Sequence, residues 1–179
     1  LAYSSCDADA LRTKAIDYCG QHVRGTVNLD TLVTKQMPDG FQEGQVLEFK
    51  IRLCPVVRKG RGSRMRQPGS EVDVFLDALE KAGPGCQIDR RDVYTSWAKS
   101  FLEQPGGIQC TRVQLTRMIR TRFLRRDEAR HLRTVERPDI TVTGILSVID
   151  AADFREMVRR GIGRHRAFGF GMLLLRRSW

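Results

Sequence analysis

The sequence lacks any apolar run near the roughly 18–20 residues that a membrane-spanning helix needs. Its longest run, Met172-Leu173-Leu174-Leu175, suits a buried strand instead. No secretory signal pattern opens the chain, so it reads as neither secreted nor membrane-spanning. Cysteine is sparse and scattered: Cys6, Cys19, Cys54, Cys86 and Cys110 are odd in number and form no C-x-x-C pair. His22, His131 and His165 lie near no cysteine at finger spacing, so neither a disulfide framework nor a metal site is expected. The cysteines read as reduced, mostly packed thiols. Aromatic residues make up only 7%, too few for a broad surface on which single-stranded bases stack. An initiator methionine is also missing, and the abrupt start Leu1-Ala2-Tyr3 suggests a chain that begins inside a longer protein.

What remains is an ordinary globular profile with a strong excess of positive charge. The 179 residues are 41% apolar and 29% charged, enough for one domain or two small ones. Thirty-one Lys and Arg stand against 21 Asp and Glu, a formal net charge of +10, which favours a polyanionic partner. The excess sits in three clusters. Arg52 to Arg66 holds six basic residues and no acid, Arg112 to Arg137 has a net charge of +6, and Arg155 to Arg166 one of +4. Lysine is almost absent from all three. Arginine is the residue whose planar fork bridges phosphate oxygens and stacks on bases. One such cluster would be a solvated surface; three in one chain point to nucleic acid.

Periodicity predicts the following elements. Leu1 to Ser5 reads as a strand end. Asp7 caps a helix with Leu11, Ala15, Tyr18 and Cys19 on one stripe, ending near Gly20 to Gly25, and Leu29 to Lys35 reads as a strand. Pro38-Asp39-Gly40 is a turn. From Val46 to Leu53 apolar and charged residues alternate, a half-buried strand. A Gly- and Arg-rich loop follows from Arg58 to Gly69. Ser70 is expected to cap a helix carrying Val72, Phe75, Leu76 and Leu79, ended by Gly83 to Gly85. Asp89 opens another with Val93, Trp97 and Phe101, stopped by Pro105 to Gly107. Thr111 to Arg126 reads extended, and Ile140 to Ile149 reads as a strand after Pro138. Asp150 caps a helix with Phe154, Met157 and Val158 that runs into Gly161, and Phe168 to Leu175 is the expected final strand.

The order from Val46 onward is β-α-β-β-α-β, the ferredoxin-like unit, with its first helix doubled. Residues 1–40 then read as the C-terminal half of a first such domain and residues 41–179 as a second. The fold class is α+β with tandem ferredoxin-like domains, the first incomplete in this chain. Within the extended stretch, Arg112, Arg120, Arg122 and Arg126 share one parity while Val113, Leu115, Ile119 and Phe123 share the other. Met118 and Leu124 interrupt the basic face, and Arg117 and Arg125 the apolar one.

The sharpest local signal is Gly161-Ile162-Gly163-Arg164-His165-Arg166-Ala167-Phe168-Gly169-Phe170-Gly171. Glycines let a backbone approach phosphate closely, and Arg164, His165 and Arg166 add charge. A nucleotide-binding glycine run follows a strand and opens a helix, whereas this one follows a helix and opens a strand. A tight turn that packs closely would use the same glycines.

A helix ending in G-I-G, a basic linker and then F-G-F-G-M-L-L-L resembles the glycine-rich loop of the RAMP superfamily. More narrowly, the chain resembles the CasE branch, the CRISPR repeat-processing endoribonucleases of the type I-E Cascade complex. Val46 to Pro55, Ser70 to Leu79 and Ile140 to Asp150 carry the rest of the likeness. The resemblance implies a prokaryotic cytoplasmic enzyme that binds the CRISPR repeat stem-loop, cuts it without metal or other cofactor, and stays on the guide RNA 3′ hairpin beside other Cascade subunits. In that family the 2′-OH attacks the phosphate to leave a cyclic phosphate, and the histidine and tyrosine used lie on the first helix of the first domain, which this chain is expected to lack. His165 is then the in-chain catalytic candidate, with His131 in a charged turn and His22 at a helix end as weaker ones. The expected RNA-binding set is Arg112, Arg120, Arg122, Arg125, Arg126, Arg164, His165 and Arg166, with Gly161, Gly163, Gly169 and Gly171 forming the loop. The resemblance also implies that one of Arg120, Arg122, Arg125 or Arg126 is the counterpart of a basic residue that stabilises the transition-state charge in that family. A non-catalytic hairpin-binding subunit of the same fold, or a general basic nucleic-acid-binding protein, are the alternatives.

Overall fold

The row Leu47, Phe49, Ile51 and Leu53 is buried along one face of a strand, β1 (Val46–Leu53), as its alternation requires. In this computed structural model of the chain, the described residues are 4, 6–18, 28–35, 40–60, 69–126 and 131–177. They belong to two units, Leu1–Gly40 and Phe41–Trp179.

The first unit holds one helix, α1 (Ala8–Tyr18), whose N-terminus is capped where expected: the Asp7 carboxylate accepts from the Ala10 amide at 2.8 Å. None of its residues is buried, and Tyr18 at the end of the expected stripe is 89% exposed. The strand expected at Leu29 to Lys35 is instead a 3₁₀ turn, Leu29–Thr31, followed by extended chain. Two side chains account for this. Asn28 accepts from the Asp30 amide and so closes the turn. Arg12 donates to the carbonyls of Leu29 at 3.1 Å and Leu32 at 2.7 Å, taking acceptors that a strand partner would use. Cys19, the glycines from Gly20 to Gly25, Pro38-Asp39 and most of Leu1 to Ser5 lie outside the described residues.

In the second unit, β1 is followed by β2 (Val56–Arg58), β3 (Glu71–Asp73), α2 (Val74–Ala82), α3 (Arg90–Glu103), β4 (Ile108–Arg126), β5 (Leu132–Val148), α4 (Ala151–Arg160) and β6 (Leu173–Arg177). Four of these strands form one antiparallel sheet in the order β4-β5-β1-β6, and β2 pairs with β3. Strand order and helix placement are those of a ferredoxin-like α+β fold with its first helix doubled. Leu47, Ile51 and Leu53 stand opposite Leu146, Val142 and Ile140, and all six are buried. Tyr94, Ala98 and Leu102 of α3 and Phe154, Met157 and Val158 of α4 are buried as well. Each large apolar side chain so removed from water contributes about 1.5–3 kcal/mol before the entropy of ordering it. No helix among the described residues is long and apolar enough to cross a membrane. Burial pushes the thiols up, to about 12 for Cys54 and about 11 for Cys110, which keeps both unreactive.

Several predicted boundaries shift, each for a local reason. Val72 belongs to β3, and Asp73 rather than Ser70 caps α2, accepting from the Phe75 amide at 2.8 Å. On α3 the buried face is one residue along from Val93, Trp97 and Phe101. The Tyr94 hydroxyl donates to Asp73 at 2.8 Å, so a polar-tipped ring fits the interior, while Trp97 and Phe101 stack on each other at 4.7 Å. β5 begins at Leu132 and runs through Pro138. β1 has ended opposite Ile140, so proline's missing N–H costs β5 no bond on that side. The last strand starts only at Leu173, because Arg166–Phe168 is a 3₁₀ turn and Gly169 and Gly171 have positive φ.

The largest correction concerns β4. Its register shifts between Cys110 and Arg112 and again between Leu115 and Arg117, and each extra residue reverses the parity. Thr111 and Thr116 sit at these bulges and donate their hydroxyls to the carbonyls of Ile145 and Thr141. Arg112 therefore stands opposite Ile145, whereas Arg120, Arg122 and Arg126 stand opposite Pro138, Glu136 and Leu132 on the other face. Arg112 does not share a row with the other three. At the first bulge the β4 backbone presses on Gly144, where a Cβ would lie 2.0 Å from the Arg112 carbonyl oxygen.

Candidate nucleic-acid interface

The glycine-rich segment is built as a closed loop between α4 and β6. Gly161 ends α4, the Ile162 amide donates to the Gly171 carbonyl at 2.7 Å, and the Gly171 amide donates to the Arg52 carbonyl at 2.7 Å. Gly161, Gly163, Gly169 and Gly171 all have positive φ. At Gly171 a Cβ would lie 2.0 Å from the Ile162 carbonyl oxygen, so no other residue fits. The loop amides of Ile162 and Gly171 are thus used within the fold.

His165 has φ 60°, the one non-glycine residue among those described with a positive φ. Its ring lies 5.3 Å from Phe123, 6.3 Å from Phe168 and 6.4 Å from Phe170, and only 6% of the side chain is exposed. Nε2 lies 3.1 Å from the Glu71 carboxylate. That carboxylate, 7% exposed, also accepts from Arg137 Nε at 3.3 Å and Nη2 at 3.2 Å and lies 3.7 Å from Arg164. Burial alone would raise the Glu71 carboxyl, but the charges and hydrogen bonds of His165 and Arg137 outweigh it and hold it below its ordinary range. One glutamate on β3 therefore joins the glycine loop to β5.

A second junction lies beside it. Arg52 Nε and Nη2 donate to the two carboxylate oxygens of Asp139 at 3.0 and 2.8 Å, and Thr121 donates to the same group at 2.5 Å. Asp139 is 1% exposed. The Arg52 guanidinium lies 4.2 Å over the Phe170 ring, and Phe123 stacks on Phe168 at 4.2 Å. Cys54, Val56 and Phe170 form a small apolar core here with Phe123 and Phe168 against it.

Past this junction β4 and β5 continue as a two-stranded arm beyond the end of β1. Arg120 and Arg122 are 65% and 75% exposed, and both hold Glu136, at 2.9 and 2.8 Å. Arg125 and Arg126 are exposed further along the arm, and Met118, Leu124 and Leu132 are exposed apolar residues on the Arg120 side. Arg112 lies apart from this row, lining an open groove of about 450 Å³ on the sheet with Lys50, Gln114, Thr143 and Arg176.

The expected set is thereby divided into three places. Arg120, Arg122, Arg125 and Arg126 share the arm, Arg164 and His165 converge on Glu71, and Arg112 faces the groove. Arg166 is exposed and donates to the Arg160 carbonyl at 2.6 Å. His131 is exposed, and His22 lies outside the described residues. Glu71, Glu136 and Asp139 are not singled out by the sequence, where their one signal is that they are acids close to arginine-rich stretches, and Arg52 and Arg137 appear there only as bounds of the basic clusters. Among the described residues no three His, Cys, Asp or Glu side chains converge as a metal site.

A ferredoxin-like domain with a basic two-stranded arm beside a pinned glycine loop defines the class. Residues 2–177 match the family described as CRISPR associated protein, and the chain belongs to that family. No curated protein matches it in sequence. Among solved structures it is similar to the CRISPR endoribonuclease Cse3 bound to a 19-nucleotide RNA, with a TM-score of 0.58 and 21% identity over 79% of this chain and 61% of that one. It is similar to Cas6e from Escherichia coli K-12, with a TM-score of 0.54 and 18% identity over 80% of this chain and 66% of the other. A chain of a CRISPR RNA-guided surveillance complex gives 0.54 and 19%, over 80% and 62%. These likenesses establish the fold, and the chain spans about three fifths of the first structure's length.

Proposed function

We propose that this chain belongs to a CRISPR RNA-processing endoribonuclease, and that its second unit grips the repeat stem-loop through the β4–β5 arm. Family membership and the fold shared with an RNA-bound Cse3 support the substrate class. The observation that carries the reading is the exposed row of Arg120, Arg122 and Arg126 on an arm extending past the sheet. Such an arm can enter an A-form groove where it opens, at the end of a short stem. Arg125, Arg164 and Arg166 would meet the backbone nearby, and Arg112, on the other face of the sheet, would contribute less. His165 would act by holding the loop, since its ring is enclosed by phenylalanines and held on Glu71.

The reaction would be metal-independent attack of a 2′-OH on the adjacent phosphate. It needs a base for that hydroxyl, an acid for the 5′-oxygen and cations for the phosphorane charge. The arm's arginines suit the third role. No described residue is assigned the first two. After cleavage the protein would remain on the guide's 3′ hairpin in the prokaryotic cytoplasm, as a subunit of a Cascade assembly whose backbone subunits it contacts. A hairpin-binding subunit without catalysis is a second reading, favoured by the enclosure of His165.

The test is binding and cleavage of a CRISPR repeat stem-loop against an unstructured RNA of equal length. Selective binding with a 2′,3′-cyclic phosphate product supports the enzyme, and selective binding with intact RNA supports the second reading. Equal affinity for both RNAs refutes hairpin recognition.

A further inference from the structure

Glu136 is an ionisable acid placed in the middle of the arm's basic row. Its Oε1 accepts from Arg120 Nη1 at 2.9 Å and its Oε2 from Arg122 Nε at 2.8 Å, with both guanidiniums largely exposed. Arg122 stands directly across the ladder from it and Arg120 lies two pairs further on, on the same face. The hydrogen bond from Arg122 and the charges of both arginines hold the carboxyl below its ordinary range, so it is ionised at neutral pH. An anion there opposes a phosphate approaching either arginine, and a surface built only to hold phosphate gains nothing from it.

The same three groups complement the edge of a base pair. Guanine presents two acceptors, O6 and N7, and cytosine presents an amino donor at N4. Each carboxylate oxygen has more than one lone-pair direction, so accepting from an arginine leaves it able to accept again. Each arginine uses one N–H on Glu136, leaving the rest of the guanidinium fork to other acceptors. We propose that Glu136 is a specificity-determining residue: with Arg120 and Arg122 it reads a G·C pair near the end of an RNA stem and discourages binding to phosphate alone. This rests on the RNA-hairpin reading above and adds a sequence preference to it.

The experiment measures binding of the full chain to three RNAs of equal length: a hairpin closed by G·C pairs at its stem base, one closed there by A·U pairs, and an unstructured strand. Wild type should prefer the G·C hairpin over the A·U hairpin about tenfold or more. Glu136→Ala should reduce that preference to roughly twofold, bind the unstructured strand more tightly and steepen the salt dependence by about one phosphate contact. Glu136→Gln, which keeps an acceptor, should retain part of the preference. A melt of each variant checks that the arm is intact. Parallel weakening on all three RNAs would make Glu136 a brace alone, and parallel tightening would make it a charge brake alone; either overturns the proposal. If wild type binds neither hairpin selectively, the functional reading itself fails. If it binds both hairpins equally but better than the strand, only the present inference fails.

Discussion

The glycine-loop junction and the β4–β5 arm are both rich in arginine, yet they use it in opposite ways. At the junction Arg52 and Arg137 are fixed on the carboxylates of Asp139 and Glu71, both below 10% exposed. On the arm Arg120 and Arg122 share one partly exposed glutamate and keep most of their surface in water. Buried pairs lose heavily when one partner is removed, because a desolvated charge is stranded. Exposed pairs contribute little to folding, about 0–1 kcal/mol, and stay available to a ligand. Position in the fold, not residue type, separates the arginines that build the protein from those left open to a ligand.

The largest effect should come from the loop itself. Gly171→Ala forces a Cβ onto the Ile162 carbonyl at positive φ and should destabilise by about 3 kcal/mol or more in a denaturant melt. Asp139→Ala comes next. It strands Arg52 and removes the Thr121 acceptor, and should cost about 2–3 kcal/mol, softened by the partial exposure of Arg52. A loss within about 0.5 kcal/mol would place this junction with the arm.

Glu71 predicts a pH dependence. Its carboxyl is held below the ordinary range in the folded protein, so its contribution is complete above the unfolded value near 4.3. That contribution fades as pH falls through the lower, folded value. Stability measured from pH 6 down to pH 3 should therefore decline less steeply for Glu71→Gln than for wild type. Equal slopes would show that Glu71 does not carry the acid sensitivity.

The smallest stability effects belong to the arm. Arg120→Ala and Arg122→Ala should shift stability by no more than about 0.5 kcal/mol. Their loss should appear in RNA-hairpin binding, at about 1–3 kcal/mol if a guanine edge is read and less if only phosphate is met. Arg112→Ala, on the other face of the sheet, should change hairpin binding less than either.

How much of this was legible in the sequence follows the range of the interaction. Asp7, Asp89 and Asp150 were readable as caps because each acts within three residues. The β1 row was readable because a period of two is local. The buried face of α3 was misjudged because Tyr94 outranks Trp97 only when Asp73 is there to take its hydroxyl. The bulges at Thr111 and Thr116 depend on Gly144 and on carbonyls of β5, so parity counted along β4 alone set Arg112 in the wrong row. The pin between Glu71 and His165 spans 94 positions, and no local pattern could signal it. The glycine loop was conspicuous, but its charged residues read as surface, whereas His165 is interior.

The most direct test compares Arg122→Ala with Arg137→Ala, measuring denaturant stability and stem-loop affinity on the same samples. Arg122 is exposed on the arm and Arg137 is tied to buried Glu71. Arg122→Ala should leave the melt within about 0.5 kcal/mol of wild type and weaken the RNA complex about tenfold. Arg137→Ala should lower stability by about 2 kcal/mol or more, with affinity largely preserved where the protein is folded. If Arg122→Ala unfolds the protein while Arg137→Ala releases RNA from a stable one, the division between structural and binding arginines is reversed and the account is wrong.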